Sequence, residues 1–172
     1  MIVVMGIDPG VANTGFGVVR VAGGRMSALD GGVIQAAPGE AAERRLARIH
    51  DAVVELLCRH QPAAMALEDV YFGKNVRSAI AVGQARGVAL LAAGQRSVPC
   101  FGYTPQAVKK AVCGSGSAAK QQVQRMVGAL LSLEHPLASD HAADALAVAI
   151  CHSGHVRHAG ALQAAAPEVP VG

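Results

Sequence analysis

Two acidic side chains end apolar segments whose composition is typical of buried strands. Asp8 follows the apolar run at residues 2–7 and precedes Pro9 and Gly10, and Glu68 ends a second apolar run. Ligand sites in open α/β sheets gather at the carboxyl ends of strands, so these two acids could share one site. Taken singly, each acid is more often a turn residue or a solvated charge.

The segment D-H-A-A-D-A-L-A at residues 140–147 supplies further candidate ligands. His141 and Asp144 are three residues apart, and Asp140 and Asp144 are four apart, so either pair can share one face of a helix. The ordinary interpretation is a helix start, with Asp140 stabilising the N-terminus. The alternative is that this face meets the acids at the strand ends.

Together, Asp8, Glu68, His141 and Asp144 have the composition of a divalent-metal site. Buried carboxylates that repel one another cost several kcal/mol each, and a cation removes that cost. Carboxylates suit Mg²⁺ or Mn²⁺, and a histidine favours Mn²⁺ slightly. Two such ions roughly 4 Å apart would activate a water molecule and stabilise the leaving oxygen of a phosphodiester.

The elements that must position these residues follow from apolar patterning and turn signals. We predict strands at residues 2–8, 14–21, 26–35, 64–70 and 99–103. We predict helices at residues 40–60, 78–95, 105–113, about 117–133 and 140–152, with Thr104, Ser117 and Ser139 as N-caps. Short connections make the first three strands an antiparallel meander, and the later alternation predicts a mixed α/β sheet with helices on both faces.

Composition bounds the class of protein. The 172 residues and 52% hydrophobic content suit one domain, which we place at residues 1–155 with a disordered Ala/Gly/Pro-rich tail at 156–172. The net charge of +3 is too mild to indicate nucleic-acid binding by itself. Four scattered cysteines without a C-x-x-C pair, and no recognisable signal peptide or membrane span, predict a cytosolic protein with reduced thiols.

Two further groups of residues have the chemistry to contact bases or phosphates. Aromatics are only 3% of the chain, yet Tyr71 and Phe72 are adjacent in a loop after Glu68. One of them is expected to pack inward and the other to stack on an unpaired base. The remaining candidates are cations and loop groups suited to phosphate: Lys74, Asn75, Arg77, Lys109, Lys110, Lys120 and Ser117 of the Gly-Ser loop.

Six short segments resemble the RuvC family of bacterial Holliday-junction resolvases. They occur in the family's order at residues 6–10, 14–17, 66–75, 83–88, 114–123 and 142–147. The resemblance implies a ribonuclease-H-like fold with a five-stranded mixed sheet. It also implies a homodimeric, metal-dependent endonuclease that nicks two strands of a four-way junction symmetrically, in partnership with RuvA and RuvB.

The resemblance also assigns roles to residues. The family's catalytic acids match Asp8, Glu68 and Asp144, and its active-site lysines match Lys109 and Lys120. Many members have a fourth acid where this chain has His141, and some have histidine there. The neighbouring Asp140 is the alternative fourth ligand, but the three-residue spacing to Asp144 favours His141.

Three other functions share some of these sequence features. A nucleotide-binding ATPase of the actin and sugar-kinase type also opens with a strand and an acidic turn, but it needs a second lobe for which 172 residues leave no room. A junction-binding protein without catalysis and another ribonuclease-H-like nuclease are the remaining alternatives. The family also uses the helix around Gly83 and Gly87 in its dimer contact, although packing on the sheet would explain the same small residues.

Overall fold

The structure is a computed structural model that describes residues 1–69, 76–137 and 139–164, with side chains through residue 156. Within these ranges the strands are β1 (Ile2–Asp8), β2 (Asn13–Ala22), β3 (Arg25–Gln35), β4 (Ala64–Glu68) and β5 (Cys100–Tyr103). The helices are α1 (Ala42–His60), α2 (Val76–Gln95), α3 (Pro105–Cys113), α4 (Lys120–Leu130) and α5 (Asp140–Ala164).

The five strands form one mixed sheet in the order β3-β2-β1-β4-β5. β1, β2 and β3 pair antiparallel as the predicted meander, and β4 and β5 continue the sheet parallel to β1. The predicted α/β fold with a five-stranded mixed sheet is therefore confirmed. The strand order depends on long-range pairing and was not predicted.

Helices cover both faces of the sheet, as predicted. One core contains buried side chains of α3, α4 and α5, together with Val4 and Ala66 from the sheet. The other contains buried side chains of α1 and α2, together with Met5, Ile7 and Leu67. Consecutive residues of β1 thus point into different cores, which follows from the two-residue repeat of a strand.

Three helix ends test the predicted caps. Thr104 Oγ1 accepts from Ala107 N at 3.1 Å, and Ser139 Oγ accepts from His141 N at 3.2 Å, so both predicted caps are confirmed. The prediction for Ser117 is wrong, because α4 begins later with Ala119 as an N-cap that has no side-chain cap bond. Ser117 Oγ lies instead 3.0 Å from Ser115 Oγ within the loop.

The last helix is longer than predicted. α5 continues past residue 152 to Ala164, because Gly154 interrupts the apolar pattern without a proline to end the helix. Residues 165–172 lie outside the described residues, and the disorder predicted for residues 156–172 stays a prediction. Among the helices that the structure describes, none is long and apolar enough to cross a membrane.

Candidate active site

Two strand ends place Asp8 and Glu68 side by side. Each is the last residue of its strand, and β1 and β4 are neighbouring parallel strands with Ile7 paired to Leu67. Ile7 and Leu67 point into the α1/α2 core, so the next residue of each strand points to the opposite face. Asp8 and Glu68 therefore both lie on the face covered by α5.

Three glycines bring α5 against the backbone of this face. A Cβ on Gly6 would lie 2.0 Å from the Ala145 carbonyl oxygen, and one on Gly15 would lie 2.1 Å from the His141 carbonyl oxygen. A Cβ on Gly17 would lie 2.6 Å from Leu146 Cγ. No side chain fits between helix and strands at these positions, so the first turns of α5 lie directly beside Asp8. Sequence reasoning missed this role, although the alternating glycines of G-I-D-P-G and T-G-F-G were visible.

His141 and Asp140 point to different partners. His141 Nδ1 lies 2.9 Å from Asp8 Oδ2. Asp140 accepts from Gln124 Nε2 at 2.6 Å and pairs with Lys120 Nζ at 3.2 Å. The structure thus joins His141, and not Asp140, to the strand-end carboxylate of Asp8.

Lys120 connects α4 to the start of α5. Its Nζ lies 3.3 Å from Asp144 Oδ2, in addition to the contact with Asp140. Burial lowers the pKa of Lys120, but Asp144 and Asp140 outweigh this effect and raise the pKa above its usual value. Lys120 is therefore a protonated partner of the site carboxylates.

The carboxylates interact unfavourably with one another. Burial, followed by the charges of Asp8 and Asp144, raises the pKa of Glu68 from 4.5 to about 7, although Lys109 and Lys120 oppose the shift. Burial also raises the pKa of Asp144, with Asp8 adding to the shift and Lys120 opposing it. The cations of the protein leave part of this negative charge uncompensated.

A cavity of about 260 Å³ opens beside these groups. Glu68, Asp144, Lys109 and Lys120 provide its polar lining, and its apolar wall consists of Pro105, Val108, Val123 and Ala147. The cavity combines acidic and cationic groups in a space large enough for a phosphate group. Lys109 and Lys120 thus line the same cavity as two of the candidate catalytic acids.

The donor set suits a hard divalent cation, but two of its carboxylates, Asp8 and Asp144, are paired within the protein. Among the residues that the structure describes, no three His, Cys, Asp or Glu side chains lie together as a ready metal site. Asp8 is engaged by His141, and Asp144 by Lys120. Carboxylate oxygens and one imidazole nonetheless have the chemistry that Mg²⁺ or Mn²⁺ requires, and their mutual repulsion favours a cation.

The other predicted DNA contacts divide into two groups. Arg77, Lys110 and Ser117 are exposed and do not line the cavity. The loop at residues 114–117 ends before α4 begins at Lys120, so Ser117 does not lie at the N-terminus of that helix. The remaining predicted contacts lie outside the described residues: Tyr71, Phe72, Lys74 and Asn75.

Distant solved structures define the class of fold. The yeast mitochondrial Holliday junction resolvase Ydc2 matches with a TM-score of 0.61 and 11% identity, covering 92% of this chain and 83% of that one. A fowlpox virus resolvase in complex with Holliday junction DNA matches with a TM-score of 0.52 and 12% identity, covering 88% and 99%. These matches show the ribonuclease-H-like fold that such resolvases share.

Similar sequences identify the family. RuvC of Thermus thermophilus in complex with a Holliday junction substrate matches with a TM-score of 0.88 and 41% identity, covering 92% of this chain and 97% of that one. The crossover junction endodeoxyribonuclease RuvC of Pelotomaculum thermopropionicum is 49% identical over 88% of this chain and 93% of its own length. The family model "Crossover junction endodeoxyribonuclease RuvC" matches residues 4–152. The chain belongs to the RuvC family, which confirms the resemblance.

Proposed function

We propose that this protein is a structure-specific DNA endonuclease that resolves Holliday junctions by paired, symmetric phosphodiester hydrolysis during recombination and DNA repair. The observation that carries the proposal is that Asp8 and Glu68 end neighbouring strands on the face covered by α5, where His141 contacts Asp8 and Asp144 lines one cavity with Glu68. Family membership supports the same activity, since the Thermus relative was solved with a junction substrate.

The catalytic residues of this proposal are also its metal ligands. Asp8, Glu68, His141 and Asp144 would hold Mg²⁺ or Mn²⁺, with two ions per site. Such ions supply an activated water and charge stabilisation at the leaving oxygen. The raised pKa of Glu68, about 7, supports the assignment because it reports negative charge that the protein itself leaves uncompensated.

The lysines of the cavity would hold the scissile phosphate. Lys109 and Lys120 line the same space as Glu68 and Asp144, so their ammonium groups can contact phosphate oxygens there. Contacts to the DNA backbone and to an unpaired base would come from Tyr71, Phe72, Lys74, Asn75, Arg77, Lys110 and Ser117.

A homodimer would present two sites to two symmetry-related strands. The outer face of α2 is suited to such an interface, because Val76, Ile80 and Leu91 are 66%, 57% and 55% exposed. A Cβ on Gly83 or Gly87 would meet no atom within 4 Å, so a partner backbone could approach closely. These residues recur at three to four positions along α2 and form one apolar stripe.

Changing this stripe tests the dimer. Ile80→Glu is expected to convert the protein to a monomer in sedimentation at micromolar concentration, because it buries a charge in an apolar interface. Leu29→Glu is the matched control, since Leu29 is also an exposed apolar residue (40%) but lies on β3. A dimer that survives in the Ile80 variant would contradict the proposed interface.

Two further expectations come from the family. We infer that the protein acts with the RuvA–RuvB branch-migration complex. We also infer that it works in the bacterial cytoplasm, at the nucleoid, where such junctions arise.

A synthetic four-way junction incubated with Mg²⁺ or Mn²⁺ tests the proposed function. Symmetric nicks near the crossover support a resolvase. Junction binding without nicks would indicate a non-catalytic junction-binding protein. Equal cleavage of linear duplexes or RNA–DNA hybrids would indicate another ribonuclease-H-like nuclease.

A further inference from the structure

Arg86 on α2 reaches across the end of β4, where the candidate catalytic carboxylate lies. Its Nη1 donates to the Glu68 carbonyl oxygen at 2.9 Å, and its Nη2 donates to Asp69 Oδ1 at 3.1 Å. The Arg86 side chain is only 22% exposed. One guanidinium therefore holds the backbone of Glu68 and the side chain of the next residue at once.

The same peptide is held from the other side by β5. Asp69 N donates to the Tyr103 carbonyl oxygen at 2.8 Å, which extends the β4–β5 pairing one residue beyond Glu68. Glu68 thus leaves the sheet between two anchors, one from β5 and one from α2. These contacts restrict the direction in which its side chain can point.

Gly102 makes room for this arrangement. A Cβ at this position would lie 2.4 Å from Asp69 Oδ1 and 3.3 Å from Arg86 Nη2. The backbone at Gly102 has no positive φ, so space, not chain conformation, is what glycine provides. The contact between Asp69 and Arg86 therefore depends on a residue of a third element.

The contacts of Arg86 with the Glu68 carbonyl and Asp69, here called the Arg86 clamp, oppose an electrostatic repulsion within the site. Glu68 faces the charges of Asp8 and Asp144, which repel its carboxylate when all three are ionised. Arg86 makes no contact with the cavity that Glu68 lines, so its positive charge acts from behind the strand. A planar guanidinium can donate to two acceptors in fixed directions, whereas a lysine ammonium acts as a single point charge.

We propose that Arg86 is a positioning residue that holds Glu68 in the direction needed for catalysis, through its paired contacts with the Glu68 carbonyl and Asp69. The inference rests on the proposed function, because positioning is measured on junction cleavage. It also gives a role to Arg86 in the segment G-Q-A-R-G-V at residues 83–88, of which the proposed function uses only Gly83 and Gly87.

The test compares full-length variants at saturating protein, so that cleavage of bound junction is separated from binding. Arg86→Gln is expected to lower the single-turnover rate by about 10–100-fold, the effect typical of removing a supporting contact behind a ligand. The junction Kd should change far less. Arg86→Lys should recover only part of the rate. Arg96→Gln is the control, since Arg96 is an exposed arginine that directly follows the C-terminal end of α2.

A second readout separates positioning from general destabilisation. Mn²⁺ binding to the DNA-free protein, measured by electron paramagnetic resonance well below the melting temperature, should weaken in Arg86→Gln and stay unchanged in Arg96→Gln. Gly102→Ala should weaken Mn²⁺ binding in the same direction without altering any charge. If Arg86→Gln does not fold, Gly102→Ala decides the question with both measurements.

Wild-type cleavage and wild-type Mn²⁺ binding in a folded Arg86→Gln or Gly102→Ala variant would overturn the inference. Failure of the proposed function has a different signature. In that case the unmodified protein would not cut the junction at all, or Asp8→Asn would cut it as fast as the unmodified protein.

Discussion

The two faces of the sheet are covered by helices in different ways, and among the described residues the candidate site lies on the α5 face. Toward α1 and α2, β1 presents Met5 and Ile7, which fill the space with bulky apolar side chains. Toward α5, the same strand presents Val4, Gly6 and Asp8, and Gly6 lets the helix contact the backbone. The candidate site thus differs from the α1/α2 core in two features. The helix contacts the strand backbone directly, and a carboxylate lies at the end of the strand.

The largest expected effect comes from substituting, one at a time, the two neighbouring residues at the end of β1. Asp8→Asn should bind a junction but cut it at least about 10²–10³-fold more slowly, because it removes a charge from the reacting centre. Ile7→Val, one residue earlier on the opposite face, should cost about 0.5–1.5 kcal/mol of stability and leave cleavage unchanged. Quenched cleavage time courses and urea unfolding measure the two effects. Normal cutting by Asp8→Asn would reduce Asp8 to a turn residue.

Adding a side chain between β1 and α5 should lower the stability of the whole protein. In Gly6→Ala the new Cβ would lie 2.0 Å from the Ala145 carbonyl oxygen, a backbone atom that cannot turn away. We expect a loss of about 3 kcal/mol or more, at the upper end of the usual cost of overpacking.

Gly128→Ala is the matched control for this substitution. Gly6 lies on β1 against α5, whereas Gly128 lies within α4, where an added Cβ would meet no atom within 4 Å. Alanine should stabilise α4 by roughly 0.5–1 kcal/mol. Equal unfolding midpoints for the two variants would mean that α5 is not held as closely as the structure shows.

Substituting the neighbours His141 and Asp140 separately shows which of them takes part in cleavage. His141→Ala should abolish most cleavage, since His141 contacts Asp8 at 2.9 Å. Asp140→Ala should lower the rate by about tenfold or less, because it releases Lys120 but leaves Lys120 its contact with Asp144. Single-turnover rates at saturating Mn²⁺ distinguish the variants. Complete loss in the Asp140 variant alone would assign the fourth ligand to Asp140.

Sequence patterning predicted local features well and contacts between distant segments poorly. The apolar run ending at Asp8 and the spacing of His141 and Asp144 are local signals, and both lead to the site. The strand order, the glycine contact with α5 and the clamp of Arg86 on Glu68 depend on which segments meet in space. α5 reaches Ala164, whereas the sequence pattern predicts a helix only to residue 152, because Gly154 alone does not end a helix.

A further difference between the two faces is expected in how stability depends on pH. The pKa of Glu68 is about 7 in the folded chain without metal, above its ordinary value of 4.5. The folded state therefore holds this proton more tightly than the unfolded state, so the contribution of Glu68 to stability is complete below about pH 4.5 and is lost as the pH rises through about 7.

Urea unfolding in EDTA measures this contribution directly. Relative to the unmodified protein, Glu68→Gln should become progressively more stable as the pH rises from about 4.5 to about 7, because the amide removes a repelled carboxylate. Glu43→Gln, an exposed acid on α1 behind the opposite face, should show no such trend. Mn²⁺ should reduce the difference between Glu68→Gln and the unmodified protein, since a bound cation offsets the repulsion. If the free energy of unfolding depended on pH in the same way for all three proteins, the strand-end carboxylates would not repel one another. The two faces of the sheet would then not differ in their electrostatics.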